Sequence, residues 1–92
     1  MDAIKLKKYA QLLEGELKLN LGKSGDIDWL AQYPILLKAL EDAKKGRIDE
    51  PRTLGLNRWI FESDIQSFAA LSTRLTQFEN LLRGWELSTE TD

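Results

Sequence analysis

The side chains that most often perform catalysis are missing from this sequence or lack suitable neighbours. The chain has no histidine and no cysteine. This removes the usual general base near neutral pH, the commonest metal ligand and any thiolate nucleophile. A zinc site would need carboxylates alone, which is rare. We therefore expect no enzymatic activity, no cofactor and no bound metal.

Two short motifs resemble ligand-binding loops but lack the required context. The run GKSG at 22–25 resembles the end of a phosphate-binding loop. That loop needs a preceding strand and an earlier glycine, and Leu17 occupies the glycine position. The run DID at 26–28 is too short for a calcium loop, because no glycine and bidentate glutamate follow in register. Helix capping by Asp26 or Asp28 is the interpretation we favour.

Carboxylate pairs occur along the chain, as they do on any charged helical surface. Glu41 with Asp42 and Asp49 with Glu50 are examples. Only burial would shift their pKa values enough for acid–base catalysis, and a sequence does not show burial.

Length and composition predict one small domain. The 92 residues include 42% hydrophobic residues and three tryptophans, enough for a single core. No window approaches the roughly 18 apolar residues of a membrane span. The start, MDAIKLKKYAQ, lacks the apolar centre and cleavage site of a signal peptide. The absence of cysteine fits a reducing compartment, so we expect a cytoplasmic protein.

Charge is unevenly distributed along the chain. Residues 1–49 carry nine Lys/Arg and eight Asp/Glu, whereas residues 50–92 carry four Arg and seven Asp/Glu. The acidic second half disfavours binding to the DNA backbone and favours a basic partner. The best basic run, KKGR at 44–47, has Glu41, Asp42 and Asp49 close by. Nucleic-acid binding is therefore not expected.

Hydrophobic periodicity predicts an all-α fold, a small single-domain helical bundle of three main helices plus a short fourth helix. The first helix should run from Asp2 to Leu19. The second should run from about 34 to 45, because Pro34 disfavours helical geometry at the residue before it. Residues 28–33 then form either a separate turn, which we favour, or the first part of a kinked helix. The predicted core face of this segment is Leu30, Tyr33, Leu37 and Leu40.

The second half of the chain predicts a short helix and a long one. Thr53 is expected to cap the short helix, which continues to about Phe61. Ser63 and Gln66 have the spacing of a capping box for the long helix. Its apolar stripe is Phe68, Leu71, Leu75, Phe78, Leu82 and Trp85. We expect a bundle domain at 1–86 and a flexible acidic tail at 87–92. The residues expected to be buried together are Leu6, Leu13, Leu17, Leu37, Leu40, Leu71, Leu75, Phe78 and Leu82.

The run RWIFE at 58–62 contains three large apolar residues that no single helix face can hold. Trp59 and Ile60 are predicted to lie in the core, which leaves Phe61 about 100° away from their face. Trp29 is left over in the same way beside Leu30. Each leftover aromatic either covers an end of the bundle, which is the interpretation we favour, or anchors a partner protein.

The sequence thus favours a non-enzymatic protein–protein interaction module. In its sharper form this is a small inhibitor or immunity-type protein that neutralises a basic partner such as a toxin. The expected partner-binding residues are Trp29, Glu50, Phe61, Glu62, Asp64 and Glu79. The alternatives are a small helical DNA-binding transcriptional regulator and a structural homo-oligomer, in which the stripe of the last helix pairs with its own copy.

Overall fold

The computed structural model describes residues 3–84, apart from the side chain of Asn57, and it is all-α. It is 73% helical, and the described residues contain no strand, so the predicted fold class is confirmed. The predicted tail at 87–92 and the predicted core residue Trp85 lie outside the described residues. Within residues 3–84, no helix is long and apolar enough to cross a membrane. The helices are α1 (Ala3–Asn20), α2 (Gly25–Ala31), α3 (Pro34–Lys44), α4 (Asn57–Glu62), a 3-10 helix (Asp64–Ser67) and α5 (Ala69–Leu82).

The core forms where α1 packs between α5 and α3. The buried face of α1 follows the helical spacing of its apolar residues, as predicted. Four residues of the predicted stripe are buried in α5, namely Leu71, Leu75, Phe78 and Leu82, whereas Phe68 precedes the helix as its N-cap and is only half-buried. Of the nine residues expected to be buried together, all but Leu37 are buried: Leu6, Leu13, Leu17, Leu40, Leu71, Leu75, Phe78 and Leu82.

The chain breaks between α2 and α3, as the proline predicts. Tyr33 adopts an extended conformation (φ −70°, ψ 114°), and Pro34 begins α3. The preceding turn is a helix that begins at Gly25. Its N-cap is Ser24, whose hydroxyl accepts a hydrogen bond from the N–H of Asp26 at 3.2 Å. The prediction that Asp26 or Asp28 caps this helix is therefore wrong, because both residues lie inside the helix, two and four positions after Ser24.

The prediction that Leu37 belongs to the core is wrong, because Leu37 is 46% exposed. The prediction assumed that Leu30 and Leu37 lie on the same side of one continuous helix. Since α3 starts afresh at Pro34, it turns a different set of residues inward. The buried residues of α3 are Leu36, Ala39, Leu40, Asp42 and Ala43.

Both helices in the second half begin later than predicted. Gly55 has a positive φ of 70°, a backbone conformation that interrupts a helix at this point. The hydroxyl of Thr53 accepts a hydrogen bond from the Gly55 N–H and does not cap a helix. Helix α4 starts only at Asn57. Ser63 does act as an N-cap, but of the 3-10 helix, where its hydroxyl accepts from the N–H of Ile65. The long helix α5 starts after this turn.

Candidate functional site

Three aromatic side chains, two of them close in sequence and one about thirty residues away, meet at the surface. Trp29 of α2 stacks on Tyr33, with ring centroids 4.8 Å apart and planes 23° apart. Trp59 of α4 lies against Trp29, with centroids 4.9 Å apart. Despite these contacts, Trp29 is 47% exposed. We call Trp29, Tyr33 and Trp59 the aromatic stack.

Contacts to the core and the backbone hold the stack in place. Ile27 and Leu30, on either side of Trp29 in the sequence, are fully buried and fix the rotation of α2. The hydroxyl of Tyr33 donates a hydrogen bond to the carbonyl of Leu54 at 3.1 Å. Tyr33 and Trp59 also pack partly against the core. The exposed ring of Trp29 is therefore held between two rings that are themselves anchored.

Hydrogen bonds also fasten the start of α2 to the 3-10 helix that follows α4. The carboxylate of Asp26 accepts from the N–H of Asp64 at 2.8 Å. The hydroxyl of Ser24 donates to the carboxylate of Asp64 at 3.4 Å. These bonds join segments about forty residues apart in sequence. They fix the segments that carry Trp29 and Trp59 relative to each other.

The segments that carry the stack are acidic. Helix α2 contributes Asp26 and Asp28. Residues 57–64 contribute Glu62 and Asp64 against one cation, Arg58. The Nε of Arg58 lies 3.0 Å from the carboxylate of Glu62 in an exposed pair, which contributes little to stability. The surplus of carboxylates gives this surface a negative field that favours a basic partner.

Leu37 is an exposed apolar residue in the first turn of α3, after Tyr33. Its N–H donates to the carbonyl of Tyr33 at 3.0 Å, one helical turn earlier. The spacing of four residues from Trp29 to Tyr33 and from Tyr33 to Leu37 is visible in the sequence. Tyr33 and Leu37 were predicted to lie on a core face with Leu30 and Leu40, whereas Tyr33 is half-buried and Leu37 is exposed. The contact with Trp59 has no local sequence signal, since thirty residues separate it from Trp29.

Phe61 lies on the opposite flank of α4 from the aromatic stack. Two residues separate Trp59 from Phe61, which corresponds to about 200° around the helix axis. Ile60 between them is buried. Phe61 is 76% exposed, so it shields little of the bundle's end. It borders a groove of about 400 Å³ against α5, whose lining includes Ser72, Thr73 and Thr76. We call this the Phe61 groove.

The structure brings some of the predicted acidic contact residues together and separates others. Glu62 and Asp64 are exposed, and both lie on the segments that carry the stack. Glu50 is exposed but lies on the connector after α3. Two residues after it, the N–H of Arg52 donates to the carbonyl of Leu82, at the end of α5. Asp64 instead precedes the start of that helix.

Glu79 is not an exposed contact residue, and this part of the prediction is wrong. It is only 2% exposed. Its carboxylate lies 3.4 Å from the guanidinium of Arg83, one turn later on α5. Because Glu79 follows Leu75 by four residues and precedes Leu82 by three, it lies at the edge of the buried stripe. That spacing is the sequence signal that could have revealed its burial.

A second buried carboxylate, Asp42, lies away from the stack. It is 2% exposed, and it accepts a hydrogen bond from Nη1 of Arg52 at 2.8 Å. The ammonium of Lys38 lies 3.3 Å away on the other oxygen. The hydrogen bond from Arg52 is the main reason that the pKa of Asp42 lies below its ordinary value, although burial opposes it. Asp42 therefore stays ionised at neutral pH and does not serve as a general acid.

Glu41 also has a lowered pKa, chiefly because Lys45 donates a hydrogen bond to its carboxylate at 2.7 Å. Within residues 3–84 no three carboxylates lie close enough together to hold a metal ion. The strongest arrangement for binding in this part of the chain is therefore the aromatic stack with its acidic surroundings.

No protein-family model, no curated protein and no solved structure matches this chain.

Proposed function

We propose that this protein is a non-enzymatic binding module and that its aromatic stack docks a basic partner protein. The observation that carries the proposal is Trp29, which is half exposed yet stacked on Tyr33 and in tilted ring contact with Trp59. Tryptophan and tyrosine concentrate binding energy at protein interfaces. A ring already held in place loses little conformational entropy on binding, so more of its contact energy contributes to affinity.

Charge supports a basic partner over an acidic one. Asp26, Asp28, Glu62 and Asp64 lie on the segments that carry the stack, residues 25–33 and 57–64, and the one cation within these segments, Arg58, pairs with Glu62. Carboxylates around an apolar centre resemble the polar rim and apolar core of a protein interface. They would also steer a basic partner towards the stack.

The sharper form of the proposal is a small cytoplasmic inhibitor of the immunity type, which neutralises a basic partner such as a toxin by covering it. Such a role needs a rigid surface of complementary charge and no catalytic group of its own. The aromatic stack supplies the rigid surface, and Glu62 and Asp64 supply charge at its edge.

The alternatives draw less support from the contacts. For DNA binding, the basic run at 44–47 is largely engaged, since Lys44 pairs with Glu14 at 2.8 Å and Lys45 with Glu41 at 2.7 Å. For a homo-oligomer built on the stripe of α5, that stripe is already buried in the protein's own core. Neither arrangement offers a free surface of the required kind.

The test begins with a pull-down from cells of the source organism, using the intact protein as bait beside a Trp29→Ala variant. The expected result is a basic protein retained by the parent protein and lost with the variant. Affinity is then measured with the purified partner. Melting curves of both baits must overlap at the assay temperature, because Trp29→Ala also removes the ring contacts of Tyr33 and Trp59. A partner that binds both baits equally, or one that is acidic, contradicts the proposal.

A further inference from the structure

A small apolar pit lies between the first half of α3 and the connector that leads to α4. Its volume is about 280 Å³. The apolar side chains that line it are those of Pro34, Ile35, Ala39 and Leu54, and two cations, Lys38 and Arg52, also line it. We call it the α3 pit. Concave apolar sites with a few polar groups are the usual form of small-molecule sites.

The buried carboxylate of Asp42 holds both cations at the pit. It accepts from Arg52 at 2.8 Å and lies 3.3 Å from the ammonium of Lys38. One carboxylate neutralises only one of the two cations, so a positive charge is left at this edge of the pit. Asp42 holds the guanidinium of Arg52 through the shorter contact, and its charge keeps the more exposed ammonium of Lys38 nearby.

We infer that the α3 pit binds a small apolar carboxylic acid. The hydrocarbon part lies against Ile35 and Leu54, and the carboxylate pairs with the exposed ammonium of Lys38, on the side turned away from Asp42. Burial of the hydrocarbon supplies the affinity, and the charge-assisted hydrogen bonds select a carboxylate over a neutral group. The volume restricts the ligand to a size below that of most drug-like molecules.

A simpler role for the same charges is to tie the connector to α3, with no ligand involved. Asp42 does this in any case, because its backbone carbonyl also accepts from the N–H of Arg47 at 2.8 Å. The two roles differ in what they predict for Lys38. Its side chain is 66% exposed, and Arg52 remains as the closer partner of the buried Asp42, so removing the Lys38 charge should cost less stability than removing Arg52 but should weaken selection for a carboxylate.

Two matched probes test the inference: 4-phenylbutanoate and its neutral amide, 4-phenylbutanamide. Each is titrated into the full-length isotope-labelled protein, and backbone amide shifts are followed by NMR. We expect saturable shifts confined to residues 35–39 and 52–54, since Pro34 has no amide proton. The carboxylate should bind on the order of tenfold more tightly than the amide, the effect of one well-placed charged contact.

Two variants that each remove one lysine charge, Lys38→Gln and its control Lys45→Gln, test whether Lys38 selects the carboxylate. Lys38→Gln should remove most of the preference for the carboxylate and leave the affinity for the amide unchanged. Lys45→Gln, which removes another exposed lysine of the same segment that pairs with Glu41 instead, should leave both affinities unchanged. Ile35→Ser should weaken both probes, because Ile35 contributes apolar lining.

Three results would overturn the inference: no saturable shift, equal affinity for the two probes, or equal effects of Lys38→Gln and Lys45→Gln. Shifts scattered over the protein would mean non-specific binding and count against it as well. These results do not test the contact of Trp29 with a partner protein, because Trp29 does not line the α3 pit, although Leu54 of the pit accepts a hydrogen bond from Tyr33.

Discussion

The two flanks of α4 present aromatic residues to solvent in different ways. On one flank Trp59 joins Trp29 and Tyr33 in a stack with carboxylates around it. On the other flank Phe61 lies at the edge of a groove with no second aromatic residue in its lining. The polar residues that line this groove are uncharged and include Ser72 and Thr76. Phe61 is the more exposed of the two aromatic sites, at 76% against 47% for Trp29.

Exposure alone is therefore a poor guide to a binding surface. A lone exposed ring is free to rotate, and it must lose that freedom when a partner binds. A ring held by two neighbours has already lost it. Single exposed apolar residues are also ordinary features of soluble proteins. The contrast between the flanks makes the aromatic stack the stronger candidate and separates Trp29 from Phe61.

The largest effect should come from Ile60, the buried residue between the two flanks. Ile60→Ala should lower the free energy of unfolding by about 2–5 kcal/mol, because it leaves a cavity beneath α4. Chemical denaturation monitored by circular dichroism measures this loss. A change below about 0.5 kcal/mol would mean that α4 is not anchored through Ile60 and that its flanks are not fixed.

The next effect concerns affinity for the purified partner. Trp29→Ala should weaken binding by about 2 kcal/mol or more, through a faster off-rate, because it removes the centre of the aromatic stack. Surface plasmon resonance measures both rates. Trp29→Phe is the matched control, since it keeps a stacked ring and should retain much of the affinity. Equal losses in the two variants would show that stacking is not what the partner recognises.

Charge reversal at the edge of the stack should have a smaller and kinetic effect. Glu62→Lys should slow association with a basic partner and weaken its dependence on salt, because edge charges mainly steer encounter. Asp49→Lys makes the same change on the exposed connector and should have less effect. Asp64→Lys is less clean, because Asp64 also contacts Ser24, so its folding must be checked first. On-rates that respond equally to Glu62→Lys and Asp49→Lys would assign steering to net charge alone.

The smallest effect should come from Phe61. Phe61→Ala should change both the melting temperature and the affinity only slightly, by about 0.5 kcal/mol or less in each case, because most of the side chain already contacts solvent. A loss of affinity near that of Trp29→Ala would move the interface to the Phe61 groove. A loss of stability alone would show that Phe61 packs more tightly than its exposure indicates.

Local patterns predicted most of the helices because their causes are local. The spacing of Leu6, Leu13 and Leu17 defines the buried face of α1, and the stripe from Leu71 to Leu82 defines that of α5. Pro34 separates α2 from α3 through a steric clash with the preceding residue. The predictions were wrong at the boundaries between helices. The register of Leu37 changed across the proline, and Gly55 displaced the start of α4.

The sequence by itself determined the helical fold class, most of the core and the lack of histidine and cysteine chemistry. Tertiary structure alone decided which of the leftover aromatics meet. The rings of Trp29 and Trp59 meet where hydrogen bonds between residues about forty positions apart join the start of α2 to the segment after α4. The burial of Glu79 and the exposure of Leu37 are likewise properties of the tertiary structure. These outcomes depend on how helices turn and cross in space, whereas periodicity reports only the side of one helix on which a residue lies.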